Sequence, residues 1–118
     1  MLYFLKRLKH RCIWSWEGTV ATWKDEHSFR SWVWANLVSA LAAFLLPLTT
    51  AELALILALG ILVLAAELIN TGIENVVDQV SKDHHPLAKK AKDAGSAGVA
   101  VTAIAAGVAW LVILTGML

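Results

Sequence analysis

Three blocks of the chain contain no charged residue: 31–51, 53–66 and 94–118. Together they take up about half of its 118 residues. A helix needs roughly 20 mostly apolar residues to cross the hydrocarbon core of a bilayer. Inside lipid every backbone N–H and C=O must find a partner within the protein, which leaves only helices and closed barrels. Charge-free blocks of this length, joined by short polar connectors, predict an all-α integral membrane protein. Composition agrees. The chain is 58% hydrophobic and 16% charged, where soluble domains average about 45–50% and about 25%.

The same arithmetic removes several classes. A net charge of +1 does not suit a basic nucleic-acid-binding domain, so no nucleic-acid partner is expected. One cysteine, Cys12, cannot make a disulfide scaffold. The high apolar content excludes a disordered chain. One domain over residues 1–118 is expected at this length. So small a chain builds little private core, which makes an oligomer the natural expectation.

The predicted helices cover 2–24, 31–48, 51–81 and 88–115. In the first, Leu5, Leu8, Cys12, Trp16 and Trp23 share one side, with Lys6, Arg7, His10, Arg11, Glu17 and Lys24 elsewhere. A basic, Trp-bearing amphipathic helix lies in the plane of a membrane surface. It lacks the long apolar core and cleavage site of a removable signal peptide. The other three helices read as spans. Residues 25–30 are a polar break or continued helix, and Pro47 with Thr49-Thr50 marks the next turn. The run 53–66 is short, but 67–81 holds no proline and carries Leu68, Ile69, Ile73, Val76, Val77 and Val80. One long helix therefore continues past the bilayer, up to the break at His84-His85-Pro86. The last span is rich in small residues, with Ala91–Gly95 and Ala94–Gly98 spaced for close helix approach. That segment reads as packing.

Lys and Arg flank the start of the first span and fill the connector between the second and third, and none lies in the other turn or at the C-terminus. The positive-inside rule then predicts a cytoplasmic N-terminus, a cytoplasmic 78–93 connector and an outside C-terminus.

The chemistry concentrates at the polar end of the second span. With Glu67 at zero and about 100° per residue, Asn70 lies at about 300°, Glu74 at about 340° and Asp78 at about 20°. One helix stripe thus carries three carboxylates and an amide. Carboxylates beside hydrocarbon are costly without partners. A hard cation such as Mg²⁺, which takes one or two carboxylates plus substrate phosphates, would balance them. An ion path through a small oligomeric transporter or channel, a solvated helix face and a passive membrane scaffold are the competing readings. His84 and His85 are adjacent, point different ways and have no third His or Cys nearby, a poor zinc site. Lys89, Lys90 and Lys92 could hold phosphates or simply obey the positive-inside rule. No Walker A loop or protein-kinase signature is present.

Glu67-x-x-Asn70-x-x-x-Glu74-x-x-x-Asp78, followed by Lys92-Asp93-x-x-Ser96-Ala97, resembles the prokaryotic diacylglycerol kinase family, which includes the undecaprenol kinases. Ser15-Trp16, Gly18, Trp23, Glu26 and Phe29-Arg30 extend the resemblance toward the N-terminus. It implies an ATP- and Mg²⁺-dependent kinase of the bacterial inner membrane that phosphorylates a lipid hydroxyl. It also implies a homotrimer of three-span subunits, with sites composed from adjacent copies. By the same resemblance Glu67 is the catalytic base, and Asn70 joins it on the stripe. Glu26 and Glu74 hold the nucleotide's metal. Those two, with Asp78, Asp83, His84, His85, Lys92 and Asp93, surround ATP, and Arg7, Ser15, Trp16 and Glu67 meet the lipid. Trp32 stands where diacylglycerol kinases carry a carboxylate, and His85-Pro86-Leu87-Ala88-Lys89 resembles the undecaprenol kinase connector.

Overall fold

The computed structural model describes all 118 residues. Four helices follow one another: α1 (Leu2–Asp25), α2 (His27–Leu45), α3 (Thr50–Val80) and α4 (Pro86–Gly116). There is no strand. Helix α2 begins at His27, ahead of the charge-free block, because the polar stretch 25–30 breaks at a single residue. Glu26 is extended at φ −110°, ψ 111°. Its N–H still closes the last turn of α1 on Thr22 O at 2.9 Å. Arg30 reaches back across the corner, and its guanidinium donates to Trp23 O at 2.6 Å and Lys24 O at 3.0 Å. One side chain thereby satisfies two of the carbonyls that a helix C-terminus leaves open. Phe29 is buried beneath that corner.

Pro47 ends α2 by forcing Leu46 out of the helical region, to φ −86°, ψ 151°. Thr49 then opens α3 with a reciprocal cap. Its hydroxyl accepts from Glu52 N at 3.2 Å, and its own N–H donates to the Glu52 carboxylate at 2.8 Å. The motif Thr49-x-x-Glu52 is readable in the sequence, and it explains the one charge at that end of the bundle. Thr49→Ala is expected to lower stability by about 1 kcal/mol, read as an earlier midpoint when SDS is titrated into mixed micelles. Thr50→Ala, which removes no cap, should leave the midpoint in place.

Helices α3 and α4 are the most extensively packed pair. They run antiparallel, and the sequence of contacts shows the register. Ile56 clusters with Ala109 and Ile113, and Ala43 of α2 completes that knot. Asn70 lies against Gly95, and Asp78 reaches Lys92. Trp110 donates its indole N–H to Ser39 Oγ at 2.8 Å, tying α4 to α2. Gly60 lets α2 and α3 approach, since a Cβ there would collide with the Asn36 amide.

By length and composition α3 and α4 are apolar enough to cross a membrane. Helix α2 has 19 residues but mixes His27, Arg30, Asn36 and Ser39 with its apolar side chains. The chain cannot hide its apolar surface alone. It exposes 8795 Å², against about 6,300 Å² for a soluble monomer of this mass. Its radius of gyration is 17.5 Å, where a compact chain of this length has about 13.5 Å. Leu37, Val38, Leu41 and Phe44 of α2 and Val101, Ile104, Val108 and Leu111 of α4 all face outward. Every residue from 1 to 18 of α1 is exposed as well, including Leu5, Leu8 and Trp16 of its apolar stripe. Lipid or further protein must cover these faces.

Candidate active site

Only four polar residues of the chain are buried: Thr22, Glu67, Asn70 and Thr71. Three of them lie within little more than one turn of α3. A polar atom withdrawn from water without a partner is destabilising, and the cluster holds one, Asn70 Oδ1, so stability yields there to another requirement. Glu67 is 4% exposed, and its carboxylate accepts no hydrogen bond and makes no ion pair within the chain.

The stripe predicted from helical spacing then becomes progressively wetter. One turn on, Asn70 donates Nδ2–H to Glu74 Oε1 at 3.0 Å, while its own Oδ1 is buried with no partner. Glu74 is half-buried. Asp78 is exposed, and its Oδ1 accepts from Lys92 Nζ at 2.7 Å across the α3–α4 gap. That hydrogen bond and the Asp78 charge hold the Lys92 ammonium above the ordinary lysine range of about 10.5, helped by the Glu74 charge. Lys92 is therefore cationic throughout the neutral range.

Beyond Asp78 the helices part into an open cleft of about 350 Å³. Asp78, Asp83, His84, His85, Lys92 and Asp93 all line it, so the structure brings together every one of the residues expected around ATP except Glu26 and Glu74. Two polar lining residues, Ser81 and Lys82, were not singled out in the sequence, while Lys89 was weighed there as a phosphate-holding candidate. Ser81 Oγ–H donates to Asp83 O at 2.9 Å and tightens the connector. Lys89 pairs with Asp93 one turn along α4, an i,i+4 partnership that spacing alone could have found. His85 is the N-cap of α4, where its Nδ1 accepts from Leu87 N at 3.1 Å, and Pro86 takes the first helical position.

Glu26 occupies the α1–α2 corner with an unpaired, half-buried carboxylate. Arg7 borders one surface hollow on α1, and Ser15 and Trp16 another. Neither hollow includes a residue of α3. Within the chain no group of three or more His, Cys, Asp or Glu side chains converges as a metal cage. The carboxylates present are spread along α3 at Glu67, Glu74 and Asp78, with Glu26 apart at the α1–α2 corner.

Residues 13–114 match the model of the family described as prokaryotic diacylglycerol kinase. The chain belongs to that family. It is 42% identical to a diacylglycerol kinase of Pseudomonas aeruginosa, over 95% of this chain and 91% of that one. It is 35% identical to the diacylglycerol kinase of Escherichia coli K12, over 85% of this chain and 82% of that one. An undecaprenol kinase of Bacillus subtilis is 36% identical, over 86% and 79%. Among the candidate residues only Arg7 lies outside the stretch that the prokaryotic diacylglycerol kinase model covers. The buried Glu67 group, the Lys92 bridge and the cleft all lie within it.

Proposed function

We propose that this member of the diacylglycerol kinase family transfers the γ-phosphoryl group of ATP to the hydroxyl of diacylglycerol, giving phosphatidic acid at the membrane interface. The observation that carries the reading is the single stripe on α3. It runs from a buried, unpaired Glu67 to an exposed Asp78 bridged to Lys92. A lipid hydroxyl is confined near hydrocarbon and ATP to water, so the reaction needs one rigid element that touches both.

Glu67 accepts the proton of the lipid hydroxyl. The freed oxygen attacks the γ-phosphorus, the bond from that phosphorus to the β–γ bridging oxygen breaks, and ADP leaves. Asp78 stands about 16 Å along the helix from Glu67, at about 1.5 Å per residue. A nucleotide seated in the cleft must therefore extend its phosphates back along the stripe, past Glu74. Such transfer depends on positioning and charge neutralisation more than on covalent help. Lys92 neutralises phosphate charge once it exchanges Asp78 for the nucleotide.

Glu74 and Glu26 suit Mg²⁺. The ion characteristically keeps several waters and takes one or two carboxylates plus substrate phosphates. Separate carboxylates, one of them oriented by Asn70, fit that demand better than they fit a closed cage. Bound with ATP, the ion supplies charge neutralisation at the phosphates.

In the bacterial inner membrane we take α2 as a third span, beside α3 and α4, in one domain covering residues 1–118. The N-terminus and the 78–93 connector face the cytoplasm, and the C-terminus lies outside. A homotrimer would cover the exposed faces of α2 and α4, and would let α1 of one copy bring Arg7, Ser15 and Trp16 to the lipid at Glu67 of another.

The second reading, undecaprenol as acceptor, is favoured by the B. subtilis relative, whose identity matches that of the E. coli enzyme. One competition decides between them. Purified protein in mixed micelles receives equal mole fractions of both lipids with Mg²⁺ and labelled ATP. Phosphatidic acid is expected as the dominant labelled lipid. Label mainly in undecaprenyl phosphate would transfer the assignment to the second acceptor.

A further inference from the structure

The small-residue run of α4 contains one position that is not interchangeable with its neighbours. A Cβ built at Gly95 would fall inside the Asn70 amide, whose Oδ1 lies against it, with Ile73 in ordinary contact at 3.5 Å. A Cβ at Gly98 or Gly107 meets nothing within 4 Å. Within the chain, close packing therefore does not account for glycine at 98 or 107. At Gly95 the reason is a particular side chain.

That side chain is under unusual constraint. Asn70 is 7% exposed. Its Oδ1 has no hydrogen-bond partner, and its Nδ2 donates to Glu74 Oε1 at 3.0 Å. A buried carbonyl without a donor is destabilising, so the amide gains nothing from the pocket over Gly95 itself. What the pocket provides is a fixed direction for the other end. With Oδ1 seated on bare backbone, Nδ2 points along the stripe at Glu74 and engages one carboxylate oxygen. The second oxygen is left for a ligand.

We infer that Gly95 is a positioning residue: by lacking a side chain it seats the Asn70 amide, and through Asn70 it orients the Glu74 carboxylate toward the nucleotide's metal. The inference rests on the reading of Glu74 as a metal ligand. A methyl group at Gly95 forces the Asn70 side chain off its rotamer and turns Nδ2 from Glu74. The helix itself loses nothing, since Ala is the better helix former.

The test is binding of Mn²⁺, as a paramagnetic stand-in for Mg²⁺, by EPR titration of the protein in mixed micelles with a non-hydrolysable ATP analogue. Gly95→Ala is expected to weaken Mn²⁺ binding by about tenfold, the scale of an off-rotamer side chain. Gly98→Ala should bind as the unaltered protein does. Asn70→Ala should weaken binding to a similar degree, and adding Gly95→Ala to it should cause no further loss, because the colliding group is gone. In turnover assays the same variants should raise the KM for Mg²⁺ and ATP more than they lower kcat. Full Mn²⁺ affinity in Gly95→Ala, alongside weakened binding in Glu74→Gln, overturns the inference and leaves the Glu74 reading intact. Full affinity in Glu74→Gln overturns both. If Gly95→Ala does not fold, Asn70→Ala still decides, since unchanged affinity there breaks the relay at its middle link.

Discussion

Glu67→Gln is expected to reduce lipid phosphorylation by about 10²–10⁴-fold, the usual worth of a positioned general base, while nucleotide and metal binding persist. The substitution keeps the size and planarity of the side chain, so the buried site at 4% exposure does not have to repack. What it removes is the capacity to take a proton. Glu67 has no hydrogen bond or ion pair within the chain, and no structural partner is lost with its charge. A fall in kcat with little change in the KM for ATP separates this role from that of Glu74, about two turns closer to water. Turnover within twofold of the unaltered protein would remove Glu67 from the chemistry.

The second large effect is expected at Lys92. Lys92→Ala should lower kcat by about 10²–10³-fold, as loss of one preorganised charge facing the reacting group does. Loss of an exposed ion pair is a much smaller matter, and Asp78→Asn provides the comparison because it removes the carboxylate charge from the same 2.7 Å contact. That variant should chiefly raise the KM for ATP. Equal and modest losses from both substitutions would reduce Lys92 to a structural partner of Asp78.

Much of this arrangement is legible in the residues. The stripe Glu67, Asn70, Glu74, Asp78 follows from helical period alone, and so does the continuation of α3 through Glu67, because 67–80 contains nothing that stops a helix. The residues around the cleft come from two stretches, 77–85 and 88–93, that a short connector must fold together. Other features were only partly signalled, or not at all. The corner at Glu26 is flanked on both sides by helix-compatible residues, and the cap that stabilises it comes from Arg30, six and seven residues beyond the carbonyls it binds. The fit of Asn70 to Gly95 depends on the register between two helices, which neither pattern encodes. His85 resembles a ligand in sequence and serves as an N-cap in the fold. In α2 Arg30, Asn36 and Ser39 dilute the apolar side chains, and the charge-free block that marks it extends into the Pro47 turn.

The account stands on phosphoryl transfer to a lipid. The most direct measurement is the fate of the γ-phosphate when the purified protein is given labelled ATP and Mg²⁺ in mixed micelles of increasing diacylglycerol content. Labelled phosphatidic acid rising with the mole fraction of diacylglycerol is the predicted result, with the signal lost in Glu67→Gln. Label released only as inorganic phosphate, or absent from diacylglycerol and undecaprenol alike, would contradict it.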